Sequence, residues 1–174
     1  MTTPAKGLGT FDKSTMPTVR PALLLLLTAC GGPFVARDEC EGLGVARVYG
    51  EDELDCALVA SRMALAREVL VSRGLVPEEK FASAFGDVTV WVRANNEPFR
   101  CDAEKDEAIM GGCYYVRARE ILTTKDMETI VHEMLHHWQL AVLGIDPDGP
   151  MHPGWTENGY RDADVSFRRV VFGL

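Results

Sequence analysis

The chain has no run of 18 or more apolar residues, so no segment of it reads as a conventional membrane-spanning helix. None of its five cysteines stands in a C-x-x-C pair, which argues against a cysteine-based zinc site. There is no internal repeat and no low-complexity tract beyond a short leucine run. At 174 residues the chain therefore reads as one domain with an N-terminal extension. Positive charge is scarce: 18 Lys and Arg stand against 26 Asp and Glu, for a formal net charge of −8. Such an acidic surface repels phosphate backbones, so nucleic acid is not an expected partner. What is present is an ordinary globular composition, 47% hydrophobic, enough for a real core.

Histidine is also sparse, and its placement is informative: all four residues fall between His132 and His152. Two of them frame His132-Glu133-Met134-Leu135-His136. On an α-helix, residues four apart lie one above the other, so both imidazoles leave the same face. Zinc accepts imidazole nitrogen at roughly 2.0–2.1 Å, and a pair at this spacing chelates it without bending the helix. Glu133 sits beside the pair, placed to take a proton from an activated water. A random H-E-x-x-H arises in only about one per cent of shuffled chains of this composition. Context adds to the pattern. Thr123-Thr124-Lys125-Asp126 has the form of a capping box, and Ile130, Val131, Met134, Leu135 and Trp138 recur at helical spacing. Gly144 then closes a helix of about five turns, ahead of the turn-rich Asp146–Pro150. His137 follows a ligand by one position and points about 100° away around the helix, so it is not an expected ligand.

Residues 1–29 read as an export signal, with Lys6, Lys13 and Arg20 before the apolar run Pro21–Leu27. Leu27-Thr28-Ala29-Cys30 resembles a bacterial lipobox, in which cleavage frees the cysteine for acylation. Cys30 is thus the expected lipidation site, and Met16 is a possible true start. Removing 1–29 takes away three basic groups and one acid, so the net charge of −8 becomes −10. Cys40, Cys56, Cys101 and Cys113 remain, an even set that predicts two disulfides in an exported domain. Local pairing, Cys40–Cys56 and Cys101–Cys113, is preferred among the three connectivities. In a Gram-negative envelope, Gly31 after the acylated cysteine resembles outer-membrane routing.

Residues 30–50 read as a tether, and 51–174 as the folded domain. A helical stripe runs from Glu51 to Arg73 and stops at Gly74, and Pro77–Phe81 begins a second helix. Asp87–Val92 alternates and is β-branched, so it reads as a strand. Residues 95–112 form an acidic loop that Cys101 and Cys113 staple. Cys113–Val116 and Glu120–Leu122 read as a strand pair. Residues 154–164 read as a final short helix, with Val165–Leu174 as an apolar tail.

A catalytic zinc takes three protein ligands and keeps one open position. Two candidates for the third follow the helix: His152, 16 residues after His136, and Glu157, 21 residues after it. Val131–Gln139, a turn-rich loop and His152-Pro153-Gly154-Trp155 together resemble the SprT-like zinc metallopeptidases, over roughly residues 85–162. In that family a helix carries H-E-x-x-H, and a downstream histidine opening an H-G-P-E-[FW]-like segment is the third ligand. Here proline and glycine stand in the opposite order, and the acidic residue before the aromatic is absent. The resemblance implies an α+β, zincin-like fold, with a small mixed or antiparallel sheet packed on the active-site helix and an N-terminal helix. It also implies zinc held by His132, His136 and His152 (Glu157 as the alternative), Glu133 as general base, and a peptide or protein substrate. His137, Tyr114, Tyr115 and Tyr160 are the candidate oxyanion donors. Trp138 and Trp155 read as core or site wall, and Asp162 and Asp164 as a solvated helix end or as partners of a ligand imidazole. Two rival readings stand beside this one. They are a non-catalytic zinc-binding lipoprotein of the same fold and an interaction module whose histidines are structural.

Overall fold

The computed structural model describes residues 35–101, 110–145, 152 and 154–173. The expected signal segment 1–29, the expected acylation site Cys30 and the expected Asp146–Pro150 turn lie outside the described residues. Among the described residues, five strands and four α-helices make a mixed α+β fold. In order they are β1 (Asp38–Cys40), β2 (Arg47–Gly50), α1 (Cys56–Ser72), α2 (Glu78–Phe85) and β3 (Thr89–Val92), then β4 (Gly112–Tyr115), β5 (Glu120–Thr123), α3 (Ile130–His137) and α4 (Tyr160–Phe172).

The sheet runs β1-β2-β3-β5-β4; β2, β3 and β5 are parallel, and β1 and β4 close the two edges antiparallel. Because side chains alternate along a strand, register decides which residues share a face. Cys40, Val48, Val90, Ile121 and Tyr114 lie in one row across the five strands. The first four of these are buried in the core with residues of α1, α3 and α4. Burying a valine or isoleucine is worth about 1.5–3 kcal/mol, so this row anchors the sheet to its helices. On the opposite face Tyr49 and Trp91 pair, their ring centroids 4.8 Å apart.

Helix α1 is held by its ends and one stripe. The Asp55 carboxylate accepts the Ala57 and Leu58 amides at 3.0 and 3.1 Å, and Val59, Met63, Ala66, Val69 and Leu70 are buried at helical spacing. At the far end Gly74, at φ +68°, lets its own amide reach Val71 and the Leu75 amide reach Leu70. That is a Schellman closure, and it turns the chain as the sequence predicts. Cys40–Cys56 ties β1 to the start of α1, and Cys101–Cys113 ties the acidic loop to β4. Both pairings are the local ones preferred from sequence, and they mark a protein of an oxidising, extracytoplasmic compartment.

Three sequence expectations are corrected. The tether predicted over 30–50 contains β1 and β2, so the folded unit begins before residue 51. These strands are three and four residues long, too short to display alternation between glycine-rich turns. The capping box at Thr123–Asp126 does not cap a helix. Thr123 ends β5, and the Asp126 amide instead donates to the Asn96 side chain at 2.8 Å. A tight turn through Met127, at φ +55°, then delivers the chain to Ile130, so the motif helix is shorter than five turns. It continues as a π-helical turn over Trp138–Val142 and ends before Gly144, at φ +66°. Finally, the last helix starts later and runs further than expected. Its N-cap is Gly159, at φ +74°, and the supposed tail from Val165 is its C-terminal half.

Candidate metal centre

Helix α3 packs against α1, α4, β4 and β5, which fixes its rotation. Ile130, Val131, Met134 and Leu135 face the core. The opposite stripe presents His132 and His136, whose Nε2 atoms lie 3.2 Å apart. Two nitrogens on one tetrahedral zinc stand about 3.3 Å apart, so this pair is already at chelating distance. His152 arrives from the turn before α4, and one ring nitrogen from each of the three imidazoles falls within 4.8 Å of the others.

Two observations on this trio fit a cation. The Nδ1 atom of His152 is buried and has no hydrogen-bond partner, and a buried polar atom without a partner is costly. The His152 backbone also sits at φ +45°, a region a residue with a Cβ seldom occupies and one that concentrates at functional sites. The donor set matches as well. Burial lowers His136 to about 3, with the neighbouring His132 and His152 adding to the shift. Burial likewise lowers His152. Both are therefore neutral at physiological pH, the form that ligates. Three imidazole donors suit zinc, copper, iron or nickel, and the donors alone do not choose among them.

Glu133 is buried at 4% exposure beside His132 in sequence, on the same helix as the imidazole pair. Burial raises its carboxyl to about 7; Asp164 adds to the rise, while His132 and Arg168 oppose it. A carboxylate poised near neutrality suits proton transfer at working pH. Its space is made by strand β4. A Cβ on Gly112 would stand 2.7 Å from Glu133 Oε1 and 2.2 Å from Thr129 Oγ1, so only glycine fits there. Thr129 in turn donates to the Gly111 carbonyl at 2.9 Å, which holds the start of α3 against the strand. Sequence reading put Gly112 on the strand entering the site but gave it no role of its own. The only signal was its position beside Cys113.

Trp155 forms the wall of the site. Its ring centroid lies 4.6, 5.0 and 4.4 Å from those of His132, His136 and His152, nearly parallel to the last. Its indole N–H donates to Gln139 Oε1 at 2.9 Å. Gln139 stands three residues after His136, on the ligand stripe, and that helical spacing would have identified it. Trp138 and Trp155 are both buried in the core cluster, and of the two Trp155 is the one whose ring packs on the imidazoles.

The remaining candidates separate cleanly. Glu157 is exposed on the turn and is not among the convergent atoms, so of the two downstream candidates His152 is the one brought to the pair. His137 points into the protein, as its helical offset predicts. Its Nε2–H donates to the Ala84 carbonyl at 2.7 Å, and its Nδ1 lies 2.9 Å from the Tyr114 hydroxyl, which donates to it. These two groups are therefore engaged with each other. The Tyr115 hydroxyl donates to the Cys101 carbonyl at 3.3 Å. Tyr160 is left as the candidate oxyanion donor on the site's own side, buried edge-on against Trp155 at 5.8 Å. Asp162 is exposed. Asp164 is not: its side chain is 14% exposed, with Oδ2 3.8 Å from His132 Nδ1 and Oδ1 3.2 Å from Arg168 Nε. Burial pushes the Asp164 carboxyl up, but His132 and the Arg168 guanidinium outweigh this and hold it below the ordinary carboxylate range. Compared with protein-family models, with curated proteins and with solved structures, the chain matches none of them.

Proposed function

We propose that this chain is a zinc-dependent peptidase of SprT-like, zincin type, exported and anchored to a bacterial membrane by lipid on Cys30. The observation that carries the reading is the convergence of three imidazoles from two separate segments, with a buried carboxylate beside them. His132, His136 and His152 would hold the ion. Zinc bound there supplies a Lewis acid that polarises a peptide carbonyl and makes water nucleophilic near neutral pH. Glu133 accepts the proton of the attacking water and delivers it to the departing amine. Its burial favours both halves of that cycle, because neither protonation state is strongly preferred near pH 7. Tyr160, whose ring packs on Trp155, would be the donor to the developing oxyanion. Trp155 restricts approach to one side of the imidazole trio.

The test is a library of unstructured peptides offered to the zinc-loaded protein. The wild type cleaves some of them, and Glu133→Gln keeps its metal while losing rate by about 10²–10⁴-fold. Wild-type rates in that variant would reject Glu133 as the base. Metal content assigns the third ligand, with His152→Ala empty and Glu157→Ala full. Incorporation of labelled fatty acid, abolished by Cys30→Ser, tests the anchor.

One observation favours a second reading, a zinc-binding lipoprotein without catalysis. The indole of Trp155 lies against all three imidazoles and narrows the space a substrate needs. Stoichiometric zinc without turnover, in both wild type and Trp155→Ala, would select that reading.

A further inference from the structure

Helix α4 contributes none of the three imidazoles, yet it sends one carboxylate to the back of the site. Asp164 Oδ2 lies 3.8 Å from His132 Nδ1, on the ring atom away from the His136 contact, which His132 makes through Nε2. The carboxylate is largely removed from solvent and is itself held at its other oxygen by Arg168 Nε, one helical turn further on. We infer that Asp164, clamped by Arg168, is a positioning residue that sets the tautomer of His132. This rests on the metal-site reading above and extends it to residues outside the trio.

The physical argument has three steps. A neutral imidazole carries its proton on one nitrogen only, and only the other nitrogen has a lone pair for a metal. A negative charge beside Nδ1 favours the tautomer with the proton on Nδ1, leaving the Nε2 lone pair directed at the trio. The same charge makes the imidazole a stronger donor, because partial positive charge that develops on ligation is stabilised nearby. Arg168 holds the second carboxylate oxygen at 3.2 Å and so keeps the group turned toward His132. At 3.8 Å the Asp164–His132 contact is electrostatic rather than a formed hydrogen bond, so its effect is on charge and tautomer rather than on rigidity.

The substitution that isolates charge is Asp164→Asn, which keeps shape and an acceptor oxygen; Asp164→Ala removes both. Zinc affinity is measured by competition with a chromogenic chelator, alongside melting of the metal-free protein. The ring tautomer of His132 is read from long-range proton–nitrogen spectra of the metal-free form. Expected are roughly tenfold weaker zinc binding in the Asn variant and up to about 100-fold in the Ala variant. The metal-free melting point stays near wild type, and the Nδ1–H signature of His132 weakens in both variants. Wild-type affinity and an unchanged tautomer in both variants would overturn the assignment. Absence of zinc binding in the wild type itself would instead overturn the metal-site reading, so the two failures are distinguishable.

Discussion

Gly112 and Glu133 approach so closely that any side chain at position 112 would collide with the carboxylate: an added Cβ would stand 2.7 Å from Oε1 and 2.9 Å from Cγ. Strand β4 thus sets the position of the buried acid as firmly as the helix that carries it. Gly112→Ala is expected to displace Glu133 and Thr129 together, costing about 1–3 kcal/mol of stability as an overpacked site does. Zinc content should stay stoichiometric while peptide cleavage falls. Wild-type cleavage in Gly112→Ala would mean that Glu133 is free to relocate and is not fixed by the strand.

His137 carries the opposite prediction. It adjoins a ligand in sequence but is bonded to Ala84 and Tyr114 in the interior. His137→Leu leaves a carbonyl and a hydroxyl without partners, and about 2–4 kcal/mol is expected to be lost in denaturant unfolding. Zinc stoichiometry in the folded variant is expected to be unchanged. Loss of metal from a folded His137→Leu protein would contradict its role as an anchor of α3 to α2.

The pH dependence of the metal-free form follows from His136. Its pKa falls from 6.5 to about 3 on folding, so the unfolded chain takes up the proton first as pH drops. The histidine therefore contributes its full stability above about pH 6.5 and loses it toward pH 3, by at most about 1.4 kcal/mol per pH unit. Glu133 acts in the opposite sense: with its pKa raised from 4.5 to about 7, it loses stability as pH rises through that window. The two partly cancel in a simple pH scan. Comparison with His136→Ala in the presence of chelator removes the cancellation. The stability difference between wild type and variant should grow from pH 3 to pH 6.5 and then level off. A flat difference would show that His136 is not buried in the metal-free state.

Trp155 provides an optical reading of the site. Its ring contacts all three imidazoles, whereas Trp91 and Trp138 lie elsewhere. Copper, which quenches nearby indoles and binds imidazole well, should dim the emission in proportion to occupancy. Trp155→Phe should retain copper binding by calorimetry and lose most of the quench. Undiminished quenching in that variant would place the metal away from Trp155.

The motif was legible because it is periodic and chemically narrow. His132, Glu133 and His136 predicted a helix face with converging imidazoles, and the cysteine parity predicted two disulfides. Element boundaries were less legible, for identifiable reasons. The Thr123–Asp126 signature is a genuine capping pattern, but β5 claims its first residue through pairing with β3 and β4, and tertiary pairing overrides a local cap. Strands β1 and β2 are too short to show alternation, and they are defined by pairing, β2 with β3 and β1 with β2. Gly112 has no sequence signature, since its requirement arises from a helix 17 or more residues downstream. From sequence Asp164 read either as a solvated helix end or as a partner of a ligand imidazole, with nothing to separate it from Asp162. Only the packing of α4 against α3 turns it toward His132.

The two cystines also determine how the molecule comes apart. Cys40 belongs to β1 and Cys113 to β4, the outermost members of the sheet on either side. Outer strands are the ones that ordinarily fray and offer open amides and carbonyls to another chain. Here each is covalently stitched to a neighbouring segment, at a contribution of about 3 kcal/mol for loops of this length. Partial unravelling from the rim is thereby suppressed while the thiols stay oxidised. A reducing environment would reopen both margins together and expose the protein to aggregation before its centre melts.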